Sequence, residues 1–200
     1  MVRIDAIPTE AELRQFELVM NVGGRTLFEG NTLGNTRTTI LGSFRATEDG
    51  QRVGAAVEHI DDLPIPSHHY GVLGGPATVA EGELILVNYL DLLEAGHAEA
   101  AAACFSEDAV YSSPPVPAGN GRRGLAVGRS AIHQWFVVRG VNEARHHVEA
   151  VATDGAGRFL VDGWVSGITA GDGSFFSSFW VDSDGLICRY VAILRIPRVE

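Results

Sequence analysis

Lysine is absent from this chain of 200 residues: all 15 basic residues are arginine, against 25 acidic residues, and the formal net charge is −10. A chain with this charge repels a phosphate backbone, and no run of arginines concentrates enough positive charge to reverse that average field. The composition therefore predicts that nucleic acid is not a partner.

Long apolar runs are also missing. None approaches the roughly 20 residues that span a bilayer, and residues 1–5 lack the apolar core of about 7–15 residues that a secretory signal needs. We therefore expect a cytoplasmic protein without a membrane partner.

Cysteine and metal-ligand patterns are scarce as well. Cys104 and Cys188 are isolated, which predicts buried thiols rather than a disulfide framework or a zinc site. His68 and His69, with His59 upstream, lack a third ligand at a suitable spacing. The sequence thus predicts no metal and no cofactor.

Residues 80–115 organise the rest of the chain. An amphipathic helix is predicted by the i, i+3, i+4, i+7 spacing of Leu86, Tyr89, Leu90 and Leu93. Gly96 should end that helix, because glycine takes a left-handed conformation without steric cost. An Ala-rich helix over residues 97–105 and a short strand at residues 109–111 follow. Pro114 should end the strand, since proline cannot donate to a ladder.

Residues 116–127 are predicted to form a loop rich in Gly and Arg, and the part of the chain after it is predicted to form one helix followed by four strands. Residues 130–138 carry the helix, and three Asp-Gly turns then separate alternating apolar segments. Asp-Gly between alternating runs is a strong hairpin signal. Helices that precede a long antiparallel sheet predict an α+β architecture.

The N-terminal part is strand-rich, and it echoes the C-terminal strands. Residues 24–36 align without gaps on residues 157–169, and residues 43–50 align on residues 178–185. One interpretation is convergent Gly-rich hairpin composition. The other is a degenerate second copy that kept its strands and lost its helices, and whose apolar face must dock on the main sheet or on a partner subunit. A linker rich in Pro and Gly at residues 64–76 separates this extension, residues 1–76, from a main domain at residues 77–200.

The order and spacing of three segments in the main domain resemble the nuclear transport factor 2-like superfamily, which includes SnoaL-type polyketide cyclases, ketosteroid isomerase and scytalone dehydratase. The segments are NYLDLLEAGHAEAAAACFSEDAVYSSP, GRSAIHQWF and WVDSDGLICRYVAIL, and the resemblance covers about residues 78–198. It implies a cone-shaped curved antiparallel sheet wrapped by three helices, a cystatin-like fold. It also implies an apolar pocket for a small molecule, and a homodimer packed through the sheets.

Carried over residue by residue, the resemblance gives the candidate catalytic residues. Tyr89 matches the oxyanion tyrosine of ketosteroid isomerase, whereas Ser113 and Ser177 stand where that family has its two catalytic aspartates. A serine cannot act as a general base at neutral pH without a partner.

His146 and His147 are adjacent on a strand and point to opposite faces, and strand alternation does not decide which of them faces the pocket. His147 lies near the strand histidine of scytalone dehydratase and is chosen on that resemblance, and Asp108 is a carboxylate that could pair with it.

Five further positions of the pocket follow from the same resemblance: Tyr111, Ser113, Trp135, Trp164 and Ser177. Two functions stay open. One is a cofactor-independent isomerase, dehydratase or cyclase that acts on an apolar carbonyl or hydroxy-aromatic compound by proton transfer. In it, Tyr89 polarises an oxygen and His147, with Asp108, moves a proton. The other is a non-catalytic module that binds an apolar ligand or a protein partner.

Overall fold

A computed structural model describes the greater part of the chain. The described residues are 18–22, 25–32, 38–46, 48, 52–61, 63–64, 74–76, 78–114, 123–168 and 172–195. The predicted linker lies largely outside them, as do His68 and His69 and the side chain of His59.

Three helices lie on one side of the main domain: α1 (Val79–Glu94), α2 (Ala98–Ala103) and α3 (Arg129–Arg139). Thr78 begins α1 with a capping box, in which its hydroxyl accepts from the Glu81 amide while the Glu81 carboxylate accepts from the Thr78 amide. Gly96 follows α1 with φ +80°, which confirms the predicted left-handed stop.

The main sheet has six strands: β5 (Phe105–Ser113), β6 (Gly124–Val127), β7 (Arg145–Thr153), β8 (Arg158–Ser166), β9 (Gly173–Val181) and β10 (Ile187–Arg195). Their spatial order is β6-β5-β10-β9-β8-β7. The predicted meander is confirmed for β7 to β10. The sheet is mixed, however, because β5 pairs with β10 in parallel, which corrects the all-antiparallel expectation.

Two local predictions need correction. β5 starts at Phe105 rather than at residue 109, so α2 is shorter than predicted. β6 lies where the sequence predicted a loop rich in Gly and Arg, and it forms because residues 124–127 pair with the end of β5. Neighbouring backbone, rather than local composition, decides both boundaries.

The two faces of the main sheet bury different partners. Alternate residues point to opposite sides of a strand, so Phe159, Val161 and Phe175 pack towards the helices. Leu160 and Phe176 pack on the opposite side. We call these the helix face and the outer face.

A second sheet lies on the outer face. Its strands are β1 (Leu18–Val22), β2 (Arg25–Thr32), β3 (Thr38–Ala46) and β4 (Arg52–Asp61), in that spatial order and antiparallel throughout. One apolar cluster joins both sheets and includes Leu27 and Leu41 from the N-terminal side. The strand-rich extension therefore docks on the main sheet, one of the two positions that the sequence left open.

None of the helices described is long and apolar enough to cross a membrane.

Candidate functional site: a tyrosine cluster on the helix face

Three tyrosines from three elements meet on the helix face, and we call them the tyrosine cluster: Tyr89 of α1, Tyr111 of β5 and Tyr190 of β10. Each is at most 3% exposed. The Tyr89 and Tyr111 hydroxyl oxygens lie 3.3 Å apart. The Tyr111 and Tyr190 rings stack, with centroids 5.5 Å apart, and the Tyr89 ring meets that of Tyr190 edge to face at 5.3 Å.

The position of Tyr89 follows from the helical spacing. It lies on the same face of α1 as the buried Leu86, Leu90 and Leu93, so the stripe that buries α1 also aims the phenol inward. Tyr111 and Tyr190 follow from strand alternation, which puts both on the helix face of adjacent strands.

Burial keeps the cluster neutral. It raises the pKa of Tyr89 well above 10 and also raises the pKa of Tyr111 and Tyr190, because a phenolate would lose its hydration. The positive charge of Arg139 on α3 lowers all three pKa values by a smaller amount. The phenols are therefore hydrogen-bond donors rather than proton acceptors at neutral pH.

Two buried donors on this side, Trp135 Nε1 and Arg139 Nη1, have no hydrogen-bond partner among the described residues. The hydroxyls of Ser113 and Ser177 instead hydrogen-bond to Tyr111 and Tyr190 and lower the pKa values of those two phenols. Ser113 and Ser177 are 6% and 0% exposed, and their odd-numbered neighbours along β5 and β9 point to the helix face. Trp135 lies beside Ser113, since a Cβ built on Gly124 would meet both side chains. Unpaired buried polar groups are rare in proteins, and each calls for an explanation.

A surface hollow of about 230 Å³ adjoins the cluster. It lies between the C-terminal end of α1 and that of α3, and its lining is Leu93, Gly96, Ala98, Phe136, Val137, Gly140 and Val141. The Phe136 ring separates the hollow from the phenols, with its centroid 5.9 Å from that of Tyr89 and 5.2 Å from that of Tyr111.

The predicted catalytic histidine is not at this site. His147 stacks on Trp164, with ring centroids 3.7 Å apart, and its Nε2 lies 2.9 Å from Ser166 Oγ. His146 points to the helix face instead, where its ring meets the edge of Phe175. Because adjacent strand residues point to opposite faces, the structure does not bring His147 or Trp164 to Tyr89.

Asp108 also lies away from the cluster. It precedes Ala109, which packs in the helix-face core, so alternation directs Asp108 to the opposite side of β5. There its charge acts on Cys188. The expected Asp108–His147 pair is therefore not formed, and of the eight residues predicted for the site, five lie on the helix face.

Sequence reasoning missed an imidazole–carboxylate pair on the helix face. Glu94, the last residue of α1, accepts from the His146 amide at 2.7 Å and lies 2.8 Å from His146 Nδ1. Burial raises the pKa of the Glu94 carboxyl, but the hydrogen bonds from His146 outweigh it, so that the pKa falls below its ordinary 4.5. The alternation of side chains along β7 was the only sequence signal for this pair, and a bulge between Val148 and Ala150 interrupts that alternation.

Sequence reasoning missed Arg139 as well. Arg139 follows Ile132 and Phe136 by seven and three residues, a helical spacing that was a usable signal.

Among the described residues, no three His, Cys, Asp or Glu side chains lie close enough together to hold a metal ion.

Comparison with known proteins places the chain in a family. The SnoaL-like domain family matches residues 86–190, just over half of the chain. The protein therefore belongs to the SnoaL-like domain family, within the nuclear transport factor 2-like superfamily. No curated protein matches the sequence significantly.

Solved structures with a similar fold share little sequence with this chain. A cystatin-like protein of unknown function from Methylobium petroleophilum is 19% identical, with a TM-score of 0.48, over 62% of this chain and 82% of that one. A nuclear transport factor 2-like protein of unknown function from Burkholderia xenovorans is 16% identical, with a TM-score of 0.46, over 60% and 88%. The epoxide hydrolase/cyclase-like enzyme SalBIII, which acts in pyran ring formation in the polyether salinomycin, is 15% identical, with a TM-score of 0.46, over 57% and 90%.

Proposed function

We propose that this protein binds a small apolar molecule that carries a carbonyl or hydroxy-aromatic oxygen, and that the tyrosine cluster donates hydrogen bonds to that oxygen. The observation that carries the proposal is a pair of buried donors beside the cluster, Trp135 Nε1 and Arg139 Nη1, which find no partner in the part of the chain that the structure describes. A ligand oxygen would satisfy such donors, and a few convergent polar groups in an apolar surround are typical of small-molecule sites.

The positive charge and the hydrogen-bond donors around the cluster favour a ligand oxygen that carries partial or full negative charge. The Arg139 guanidinium acts on all three phenols, and burial keeps those phenols protonated. Donors fixed in a dry site stabilise a developing oxyanion more than they do in water. An enolate, a phenolate or a polarised ketone therefore fits this chemistry.

The route we propose to the cluster is the hollow beside Phe136. Its apolar lining suits the hydrocarbon part of the ligand, and rotation of the Phe136 ring opens the way to the phenols. Two neighbouring valines allow this route to be tested against a control of equal exposure. Val137 lines the hollow and Val138 does not, although they are 59% and 60% exposed.

Titration with a matched pair of probes tests the proposal: 2-acetylnaphthalene and its hydrocarbon analogue 2-ethylnaphthalene. A neutral hydrogen bond contributes about 1 kcal/mol, so we expect Tyr89→Phe to weaken ketone binding by roughly fivefold and to leave the hydrocarbon unaffected. Val137→Trp should weaken both probes, and Val138→Trp neither. Equal ketone affinity in wild type and Tyr89→Phe would contradict the role of the cluster.

Proton-transfer catalysis is a second candidate, and the Glu94–His146 pair favours it. The carboxylate orients the His146 ring on the helix face, as a general base requires. In this function Tyr89 polarises a carbonyl while His146, rather than His147, moves the proton.

Turnover of a hydroxy-ketone panel tests the second candidate. His146→Gln should abolish turnover, whereas His147→Gln should leave it near wild type. Equal turnover in wild type and His146→Gln would exclude this assignment. Turnover lost only in His147→Gln would exclude it as well.

A further inference from the structure

The N-terminal sheet reproduces the last four strands of the main sheet residue by residue. In β2 and β3, Leu27 pairs with Ser43; in β8 and β9, Leu160 pairs with Ser178. The sequence alignment places Leu27 on Leu160 and Ser43 on Ser178. The hydrogen-bonded registers therefore repeat what the sequence alignment predicts.

The correspondence extends to the outer strands of both sheets. Met20 pairs with Leu27 as Ala152 pairs with Leu160, which relates β1 to β7. Ala56 pairs with Ser43 as Val191 pairs with Ser178, which relates β4 to β10. Convergent hairpin composition gives no reason for matching registers in all four strands, whereas a duplicated unit does.

Each strand of the N-terminal sheet packs on its own counterpart. β1 lies against β7, β2 against β8, β3 against β9 and β4 against β10. Equivalent surfaces meet in this way only around a two-fold axis, the geometry of an isologous homodimer. Here both halves of the contact belong to one chain.

The two carboxylates that accept from an arginine of the opposite sheet also stand at equivalent positions, although the arginines do not. Arg189 donates to Glu29 at 2.5 Å, and the alignment places Glu29 on Asp162. Arg25 donates to Asp162 and, at 2.6 Å, to Glu149. A second copy of β7–β10 on the outer face would therefore present its Asp162 to Arg189.

We infer that residues 18–61 are a truncated second copy of the main domain's last four strands, and that this copy takes the place of a partner subunit. The chain is therefore a monomer whose outer face is covered by its own N-terminal sheet. The homodimer packed through the sheets, which the family resemblance implies, needs this same outer face. A second copy of the chain binds there only when the N-terminal sheet is undocked.

Sedimentation equilibrium and thermal unfolding of the full chain test the inference. We expect the mass of one chain, and a Tm that does not change over a hundredfold range of protein concentration, because an intramolecular contact does not depend on concentration. A dimeric mass, or a Tm that rises with concentration, would overturn the inference.

Two variants that place a charge between the two sheets test the inference independently of one another. Leu27→Asp places a charge on the N-terminal side and leaves β7–β10 intact, so it should shift the chain towards twice the monomer mass. Phe176→Asp damages the outer face itself and should leave a monomer. Val19→Asp, at a residue that is 38% exposed, is the matched control and should also stay monomeric.

A Leu27→Asp chain that is folded by circular dichroism yet monomeric would overturn the claim that a second copy fits the outer face. If Leu27→Asp does not fold, the concentration series on the wild-type chain still decides the inference.

Discussion

The ion pair between Glu29 and Arg189 gives the sharpest test of how the two sheets are held together. Both residues are almost fully buried, at 2% and 1% exposed. Glu29 accepts from Arg189 Nη1 at 2.5 Å through one carboxylate oxygen, and from the Ser178 hydroxyl at 2.6 Å through the other. The guanidinium of Arg189 also lies over the Trp180 ring, 4.6 Å from its centroid.

Replacing Glu29 with Ala leaves a buried guanidinium without its counter-charge. Removing one partner of a buried pair costs about 3–5 kcal/mol, because the remaining charge stays out of water. The free energy of unfolding of a typical protein is about 5–15 kcal/mol, so this loss is a large share of the total. We expect Glu29→Ala to lower the free energy of unfolding by that amount.

An exposed pair in the same chain provides the control. Arg129 Nη1 lies 2.6 Å from Glu107, whose side chain is 83% exposed, and such surface pairs contribute about 0–1 kcal/mol. Urea unfolding with linear extrapolation measures both variants. A Glu29→Ala loss no larger than that of Glu107→Ala would refute the reasoning.

A double variant separates charge burial from lost packing. Replacing a buried pair with apolar residues of similar volume is often neutral or stabilising, so Glu29→Leu/Arg189→Met should recover most of what Glu29→Ala loses. A double variant as unstable as the single one would show that the ion pair itself supplies the stability.

Three further predictions address other parts of the fold. Gly82→Ala should destabilise the protein by about 1–3 kcal/mol in urea unfolding, because the added Cβ would lie 2.1 Å from the Phe159 ring. Glu94→Gln should make the free energy of unfolding depend less on pH under acidic conditions. In the wild type the lowered pKa of folded Glu94 stabilises the protein above pH 4.5, and this contribution is lost as the pH falls through that pKa. Cys188 should react with a disulfide reagent at pH 8 only after unfolding, because burial raises its pKa to about 12.

Each of these has a result that contradicts it. Gly82→Ala should regain stability when Phe159→Leu makes room, and no recovery would exclude the steric explanation. Glu94→Gln with an unchanged slope below pH 4.5 would mean that the His146 contact does not act on this carboxyl. Labelling of Cys188 in the folded Cys104→Ser variant would show that the thiol is accessible.

The sequence determined the parts of this protein that depend on periodicity and on turn chemistry. The stripe from Leu86 to Leu93 set α1 and aimed Tyr89 inward, and Gly96 ended the helix. Asp154-Gly155 and Asp184-Gly185 form two of the turns of the meander, whereas Gly173 of the third predicted turn is the first residue of β9. These signals are local, because helix and strand periods and positive φ act within a few residues. The resemblance to the nuclear transport factor 2-like superfamily was confirmed by the family match.

Tertiary structure alone decided which histidine faces the helices and what covers the outer face. Strand parity between His146 and His147 depends on a bulge and on the pairing partner, which no local pattern contains. The docking of β1–β4 depends on contacts more than a hundred residues apart, such as Glu29 with Arg189. Sequence fixes the period of each element, but only the packed chain sets which faces meet.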